Sequence, residues 1–535
     1  RRQRQMCIRD RGWTGRYENM NNMRVSTNGG LVTENWFDLN ASRYTASSTL
    51  QRMELLKTGY MGTLSLGWDN YLFLELTGRQ ERSSTLKDQS FFYPSANLSF
   101  LFSNAFRMPA WWNHGKLRLS YGVVGNAPET YAANIIYEQG SDNGFTWNYV
   151  PSSWGNANIR PEKKYEYEIG FESKFLNNRL GFDVSYYNNR VKDQILSTPQ
   201  PSTSGVKYVL MNVGEVANEG WDISVSATPV LTKNFRWDLT ANYGIYRNKV
   251  VKLADGVPYL EISNIGGGGA KIQAVEGRPM GDIYVQVPQM NENGEYLVSD
   301  KGLYMNQTEL QRVGNINPDG VGGLFSSFSY KNIFLDFSID FRIGGDVINE
   351  MYQYSTASGL TPESLQFRDT EHGGLSYYYP GNNNASGVPV QVDPSLGAGP
   401  NGETVYHDGV ILPGVVASTG EKNTRIIPAG YYYNQTYNWG TQPEQLTYRH
   451  SVFDNSYVKL RELTIGYQFP EKLISKLGMT RLSVSVFGRN LFYFYKALKN
   501  YDAESSVGTS WASQAVVGGS TTATRNFGVS LRASF

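Results

Sequence analysis

Histidine is the side chain that most often does acid–base or metal chemistry, and this 535-residue chain has four histidines. They are His114, His372, His407 and His450, and all lie in predicted loops or turns. No two of them stand at the spacing of metal ligands. The histidines therefore predict neither a metal site nor a catalytic centre, and we expect no enzymatic activity and no cofactor.

Three other patterns could suggest chemistry. Glu166, Glu168 and Glu172 share one face of a predicted strand, and we interpret them as carboxylates that face water. Gly266–Gly269 resembles a phosphate loop but lacks both the Gly-Lys-Ser/Thr sequence and a strand–helix context, so we predict a flexible loop. Residues 291–302 lack the acidic spacing of a calcium loop.

Aromatic side chains, which can bind the flat faces of sugars, are in excess: the chain has 37 Tyr, 25 Phe and 11 Trp. Many lie in two predicted long loops, 124–160 and 344–455. Three roles stay open for them: contact with a partner protein, packing inside the loop, or direct contact with a ligand. The candidate contact residues are Trp147, Trp154, Tyr377, Tyr378, Tyr379, His407, Asp408, Tyr431, Tyr432, Tyr433 and Trp439.

The elements that position these loops are strands. Phe527–Phe535 alternates apolar and polar residues without a fault, which predicts a strand with one apolar face. The pattern recurs upstream and indicates about 14 strands of about 9–12 residues, the length that crosses a bilayer. Short turns at Asp69-Asn70, Asn177-Asn178 and Lys331-Asn332 separate strands between the long loops. The predicted long loops are 124–160, 192–218, 249–320, 344–455 and 492–523.

This arrangement predicts an all-β fold, a transmembrane antiparallel up-and-down barrel with its apolar face in lipid and its long loops outside the cell. No run of 18 apolar residues predicts a membrane helix. The net charge of +1 does not favour a nucleic-acid binder. Aromatic residues near strand ends are expected at the membrane interface; they are Trp68, Tyr71, Trp221, Trp237 and Phe535.

The first residues differ from the rest. Residues 1–11 hold five Arg and no apolar segment of an export signal. We therefore predict that residues 1–19 are a non-native or disordered basic segment, and that 20–535 form the barrel domain with its large extracellular loop at about 344–455. Because Cys7 is the single cysteine, an internal disulfide is excluded.

Several blocks resemble one family in order and spacing. FYPSANLSFLF (92–102), KLRLSYGVVGNA (116–127), SYVKLRELTIGYQFP (456–470) and VFGRNLFYFYK (486–496) are similar to the barrel of SusC/RagA-type TonB-linked outer-membrane transporters. The resemblance implies a 22-stranded barrel, of which about 14 strands are expected here. The signal peptide, TonB box and plug are not found. Such an incomplete wall should have two free edges, one of them the last strand.

The same resemblance implies a function and partners. The expected activity is TonB-energised import of oligosaccharides, or of peptides, across the cell outer membrane. The expected partners are a SusD-like lipoprotein, TonB–ExbB–ExbD acting through the missing N-terminal part, outer-membrane lipid and the barrel-assembly machinery. The alternative is a passive porin or adhesin-type barrel without energy coupling.

Overall fold

A computed structural model describes residues 5–87, 90–142, 145–438, 447–519 and 522–535. The chain divides into two compact units. The first comprises Arg1–Ile223 and Asn248–Val257, and the second comprises Ser224–Arg247 and Pro258–Phe535.

The first unit is built on one antiparallel sheet. Its strands are β1 (Gln5–Leu31), β2 (Ser42–Trp68), β3 (Leu72–Ser83), β4 (Ser90–Phe100), β5 (Trp112–Asn126), β6 (Glu138–Asp142), β7 (Phe145–Tyr149), β8 (Ser153–Trp154), β9 (Glu162–Phe175), β10 (Leu180–Pro199) and β11 (Tyr208–Leu231), which ends in the second unit. The sheet order is β1-β2-β3-β4-β5-β9-β10-β11. β6 and β7 form a separate hairpin, and β8 adds in parallel to β11. Helix α1 (Phe102–Ala105) follows β4.

The second unit repeats the plan and adds large folded connections. Its strands are β12 (Phe235–Lys252, which begins in this unit), β13 (Tyr259–Ile265), β14 (Ala270–Val275), β15 (Asp282–Val285), β16 (Leu297–Val298), β17 (Gln311–Asn315), β18 (Gly320–Tyr330), β19 (Ile333–Ile343), β20 (Asp346–Asn349), β21 (Leu375–Tyr378), β22 (Val390–Gln391), β23 (Val405–Val410), β24 (Val415–Val416), β25 (Ile427–Pro428), β26 (Val452–Asp454), β27 (Tyr457–Gln468), β28 (Arg481–Lys496), β29 (Val516–Val517) and β30 (Asn526–Ser534). The main sheet runs β12-β18-β19-β27-β28-β30, each neighbour antiparallel.

Helices are few in the described residues. The α-helices of the second unit are α2 (Glu350–Ala357), α3 (Ala429–Tyr437) and α4 (Glu471–Ile474). Short 3₁₀ turns lie at Leu39–Ala41, Ser202–Ser204, Gly266–Gly268, Pro362–Leu365, Pro380–Asn382, Arg449–Ser451, Ser475–Leu477 and Ser513–Ala515. Within this described part, no helix is long and apolar enough to span a membrane.

The predicted all-β antiparallel class and strand number are confirmed, with eight main strands from β1 to β11 and six from β12 to β30. Within its own unit and the described residues, β1 pairs only with β2, and β30 pairs only with β28. Each therefore keeps one edge that its own unit leaves unpaired, as expected for the first and last strands of an open wall.

The predicted length of about 9–12 residues holds for six of the fourteen main strands, and the other eight are longer. Observed lengths run from 9 residues in β30 to 27 in β1 and β2. The predicted loop 192–218 is also wrong, since β10 continues to Pro199 and β11 starts at Tyr208. The physical reason is that ladder hydrogen bonds continue past the apolar band, where polar residues pair without an alternating pattern.

The prediction that the basic N-terminal segment is disordered is wrong for its described part. From Gln5 onward it is paired with β2 in continuous register, Gln5 opposite Trp68 and Asn19 opposite Glu54. Residues 1–4 lie outside the described residues. Pairing depends on backbone groups, so a sequence without alternation can still form a strand beside a strong partner.

The Gly-rich segment is a tight turn between β13 and β14, so the expectation of a flexible loop is not met. Gly266 has a φ of +58°, and a Cβ there would overlap the hydroxyl of buried Tyr448. Tyr448 belongs to the core of this unit with Ile272, Ile283 and Ile348. Only glycine fits this position, for both conformational and steric reasons.

Candidate functional site

The long connection after β19 is a folded region, here called the Tyr region (residues 344–456). Its strand β20 pairs with β26 and β29, and β21 pairs with β22 and β23. Asn349 caps α2 by accepting the backbone N–H of Tyr352 at 2.9 Å. The long connection is therefore partly folded, and its candidate side chains have fixed surroundings.

Tyr377 is a core residue of the Tyr region. Its side chain is 1 % exposed and its ring stacks on Tyr406 with centroids 5.5 Å apart. The hydroxyl donates to Asp408 Oδ1 at 3.0 Å. Burial and the neighbouring carboxylate raise the pKa of Tyr377 far above its ordinary value. Tyr379 meets the Tyr377 ring edge-on at 5.6 Å, and Tyr378 is half-buried beside them.

His407 and Asp408 are adjacent in β23 but serve different neighbours. His407 Nδ1 lies 2.8 Å from Ser376 Oγ, and its side chain is exposed. Asp408 instead accepts from Tyr377. A serine–histidine pair needs a third group to orient the histidine before it can act as nucleophile and base. Because Asp408 is engaged by Tyr377, the Ser376–His407 contact is a hydrogen bond between the paired strands β21 and β23.

A second tyrosine cluster forms on α3. Tyr433 is 6 % exposed, packs against Tyr432 and Tyr437, and donates to the carbonyl of Glu363 at 2.8 Å. Burial raises the pKa of Tyr433 to about 12. Tyr437 stacks on His450 at 5.7 Å, and burial lowers the pKa of that imidazole. These groups are neutral packing elements at neutral pH.

Of the six candidate tyrosines of the Tyr region, two are buried in its interior and four are half-buried. Tyr431 and Tyr432 are half-buried against Leu303, Val410, Leu412 and Ile427. Trp439 lies outside the described residues. Of the three roles left open by the sequence, internal packing accounts for Tyr377 and Tyr433. Contact of the region's outer surface with a partner stays a prediction.

The connection between β5 and β9 differs, and is here called the hairpin loop (residues 127–161). In its β6–β7 hairpin, Phe145 is 78 % exposed and Trp147 is 48 % exposed. Trp154 is half-buried, and its indole N–H has no hydrogen-bond partner among the described residues. Aromatic side chains on this loop are available to a partner or ligand.

A cavity of about 640 Å³ lies beside this loop in the first unit. It is lined by Tyr17, Glu54, Leu55, Leu56, Ser84, Thr85, Lys87, Thr130, Tyr131, Ala133, Asn134 and Ala157. Among these, only Tyr131 belongs to the aromatic pattern of the sequence. No sequence pattern indicates Glu54 or Ser84 as site residues, because only strand pairing and loop folding bring them together.

The glutamates of β9 lie in ion networks on the polar face of the sheet. Glu172 lies 3.5 Å from Arg118, which also binds Asp183 at 2.6 Å. Glu166 pairs with Lys164 at 2.6 Å. Glu166 and Glu172 therefore lie beside basic side chains, and the arrangement is that of salt bridges and not of a pair of catalytic carboxylates. In the described part of the chain, no cluster of His, Cys, Asp and Glu could hold a metal ion.

The predicted interface aromatics have mixed positions. Trp68 ends β2 and is exposed, Tyr71 follows it in the turn, and exposed Phe535 ends the chain. Trp237 lies near the start of β12 and donates its N–H to Ser326 at 2.9 Å. Trp221 lies in the middle of β11 and not near its end, because β11 is longer than predicted.

Comparison with known proteins agrees with this architecture. The family model described as "TonB dependent receptor-like, beta-barrel" matches residues 8–283. The chain belongs to this family. The match starts inside the basic N-terminal segment and includes most of the first unit. The family is one of receptors and transporters and not of enzymes.

Relatives and solved structures extend the match. TonB-dependent receptor P3 of Formosa agariphila is 22 % identical over 494 residues, 84 % of this chain and 42 % of that protein. TonB-dependent receptor SusC of Bacteroides thetaiotaomicron is 27 % identical over 256 residues, 42 % of this chain and 24 % of SusC. The chain therefore spans less than half the length of these relatives.

Among solved structures, the RagAB peptide transporter aligns with a TM-score of 0.68 at 17 % identity, over 98 % of this chain and 52 % of that one. The RagAB peptide importer in its open-open state aligns with a TM-score of 0.66 at 17 % identity, over 99 % and 56 %. These matches show a shared fold. The resemblance to SusC and RagA that the sequence motifs indicated is confirmed.

Proposed function

We propose that the protein carrying this chain is a SusC-type transporter of the outer membrane that imports oligosaccharides, with peptides as the second substrate class. The observation that carries the proposal is the family match over residues 8–283. TonB supplies the energy, acting through a part of the protein outside this chain. A SusD-like lipoprotein covers the extracellular side.

The sheet chemistry supports a membrane wall. On β19, Leu335, Phe337 and Ile339 share one face, and Asp336 and Asp340 share the other. Asp340 is held by Arg461 of β27 on that polar face. One face therefore suits lipid and the other suits a wet lumen through which a polar ligand passes.

The hairpin loop supports a role in capture. Phe145 and Trp147 offer apolar surface that a partner can cover, and exposed aromatic residues are enriched at protein interfaces. We assign this surface to the SusD-like lipoprotein. Because RagAB is described as a peptide transporter and shares only the fold with this chain, peptides stay in the proposal as the second class.

The test is uptake by the bacterium that carries the gene. Fluorescent oligosaccharides and fluorescent peptides of similar size are supplied to wild-type cells, to a deletion strain and to a strain without TonB. We expect oligosaccharide uptake to be lost in both mutants and restored by the gene in the first. Uptake that is lost in the deletion strain but survives loss of TonB would support a passive porin instead.

A further inference from the structure

We propose that the cavity beside the hairpin loop, here called the sugar cleft, binds an electrically neutral sugar unit. The inference rests on the proposed function and narrows its substrate class. The cleft is lined by Tyr17 of β1, by β2, by the turn after β3 and by five residues of the hairpin loop, all in the first unit. Its volume of about 640 Å³ lies within the usual range of small-ligand pockets, roughly 300–1,000 Å³.

Two hydroxyl groups in the cleft are fixed by the same strand. The backbone N–H of Glu54 donates to the Tyr131 hydroxyl at 3.4 Å, and that of Leu56 donates to Ser84 Oγ at 3.0 Å. Each hydroxyl oxygen accepts one bond and keeps its own proton to donate. The cleft thus presents two oriented O–H donors from different segments, which suits the many oxygen acceptors of a sugar.

Tyr131 is held in a strained conformation. Its φ of +67° lies in the left-handed region, which is uncommon for a residue with a side chain. Neighbouring bonds keep it there: its carbonyl accepts from Asn134 N–H at 2.9 Å, and the carbonyl of Ala132 accepts from Asn156 N–H at 3.0 Å. Strain of this kind is concentrated at binding sites, where it orients a side chain.

The rings and charges of the cleft favour a neutral, hydroxylated ligand. Tyr17 is 62 % exposed and Tyr131 is 51 % exposed, so both rings are open to the C–H face of a sugar. Glu54 and Lys87 contribute one charge of each sign to the lining of the cleft. Their charges balance, while each can still hydrogen-bond to sugar hydroxyls.

A peptide is less well suited to this site. Extended peptides usually bind by adding a strand to a free sheet edge. Here the edge of β2 that lines the cleft is occupied, because Glu54 N–H and Leu56 N–H are bonded as above and Leu56 C=O accepts Ser84 N–H at 2.9 Å. Recognition must therefore come from side chains.

The experiment titrates the purified full-length protein with short neutral oligosaccharides of different linkage, and with peptides as a second arm. Y131A removes the ring and Y131F removes only the hydroxyl. The matched control is Y137A, which changes an exposed tyrosine of the same loop that does not line the cleft. The variants are also compared in cells at equal outer-membrane levels, so that a folding defect is detected separately.

We expect at least one neutral oligosaccharide to bind, with affinity lowered about tenfold by Y131A, about threefold by Y131F and less than about twofold by Y137A. Equal affinities for wild type, Y131A and Y131F would overturn the inference, as would peptide binding that Y131A abolishes. If cells with Y131A import an oligosaccharide at the wild-type rate, the inference about the sugar cleft is wrong and the proposed function stands. If wild-type cells import neither substrate class, the proposed function itself fails.

Discussion

The Tyr region and the hairpin loop are both rich in aromatic residues, but they bury them to different extents. In the Tyr region, Tyr377 and Tyr433 are buried, and their hydroxyls bond to Asp408 and to the carbonyl of Glu363. In the hairpin loop, Phe145 and Trp147 are exposed. The comparison shows that an aromatic-rich loop sequence does not by itself indicate a binding surface.

Loop length explains the difference. Residues 344–456 are enough chain to enclose a small core, with short sheets and two helices around it. Residues 127–161 form one separate hairpin, the two-residue strand β8 and a few turns, and a single hairpin has too few neighbours to bury both of its faces. Aromatic residues of the longer loop therefore stabilise it, while those of the shorter loop stay available.

The largest effect is expected from Y433A in the Tyr region. Loss of a buried aromatic ring should lower the free energy of local unfolding by about 3–5 kcal/mol. Amide hydrogen exchange of α3 in the purified protein measures this. L360A, at an exposed position of the same region, is the control and should leave exchange unchanged. Equal protection in Y433A and wild type would show that the tyrosine cluster is not the core of this region.

A smaller effect is expected from Y377F. The ring stays, but the Asp408 carboxylate loses its donor, which should cost about 1–3 kcal/mol. Exchange of amides in β21 and β23 measures the change, with Y378F at the half-buried neighbour as the control. Identical exchange in Y377F and wild type would contradict the assigned role of the hydroxyl.

The turn at 380–404 should respond to acid. Buried Glu403 accepts the backbone N–H groups of Asn401 at 2.9 Å and Gly381 at 3.2 Å, and these bonds lower its pKa from 4.5 to about 2. Because the pKa of Glu403 is lower in the folded than in the unfolded chain, its ionised carboxylate stabilises the fold at pH values above about 4.5. This contribution is lost as the pH falls from about 4.5 towards 2. Proteolysis of this turn by an acid-active protease should increase across that range. E403Q should remove most of the pH dependence, and a profile unchanged by E403Q would contradict the assignment.

The smallest effect on stability is expected from W147A in the hairpin loop. An exposed side chain should change the free energy of unfolding by less than about 0.5 kcal/mol. The amount of the proposed lipoprotein that co-purifies with W147A should nevertheless fall. Y433A, by contrast, should mainly lower the stability of the Tyr region. A large loss of stability in W147A would mean that the two regions do not differ as described.

Regular strands could be predicted well from the sequence. Alternation over 333–343 predicted β19 with its observed ends, and the predicted turns at Asp69-Asn70 and Asn177-Asn178 have positive φ at both residues. The N-terminal half of β2 and the whole of β1 were missed, because their pairing depends on the backbone of a neighbour and leaves no periodic signal.

The candidate sites were less predictable. The sequence identified the tyrosines of the Tyr region, but periodicity carries no information about which side of a folded loop becomes its core. The contact between Tyr131 and Glu54 joins residues 77 positions apart. It depends on the fold of the hairpin loop, which a single sequence does not specify at the level of short motifs.

The initial rate of oligosaccharide uptake by intact cells, with and without TonB, decides whether this protein is an energised importer. We predict that uptake through this protein falls to the level of the deletion strain when TonB is absent. An initial rate that is the same in wild-type cells and in cells without TonB would contradict this prediction.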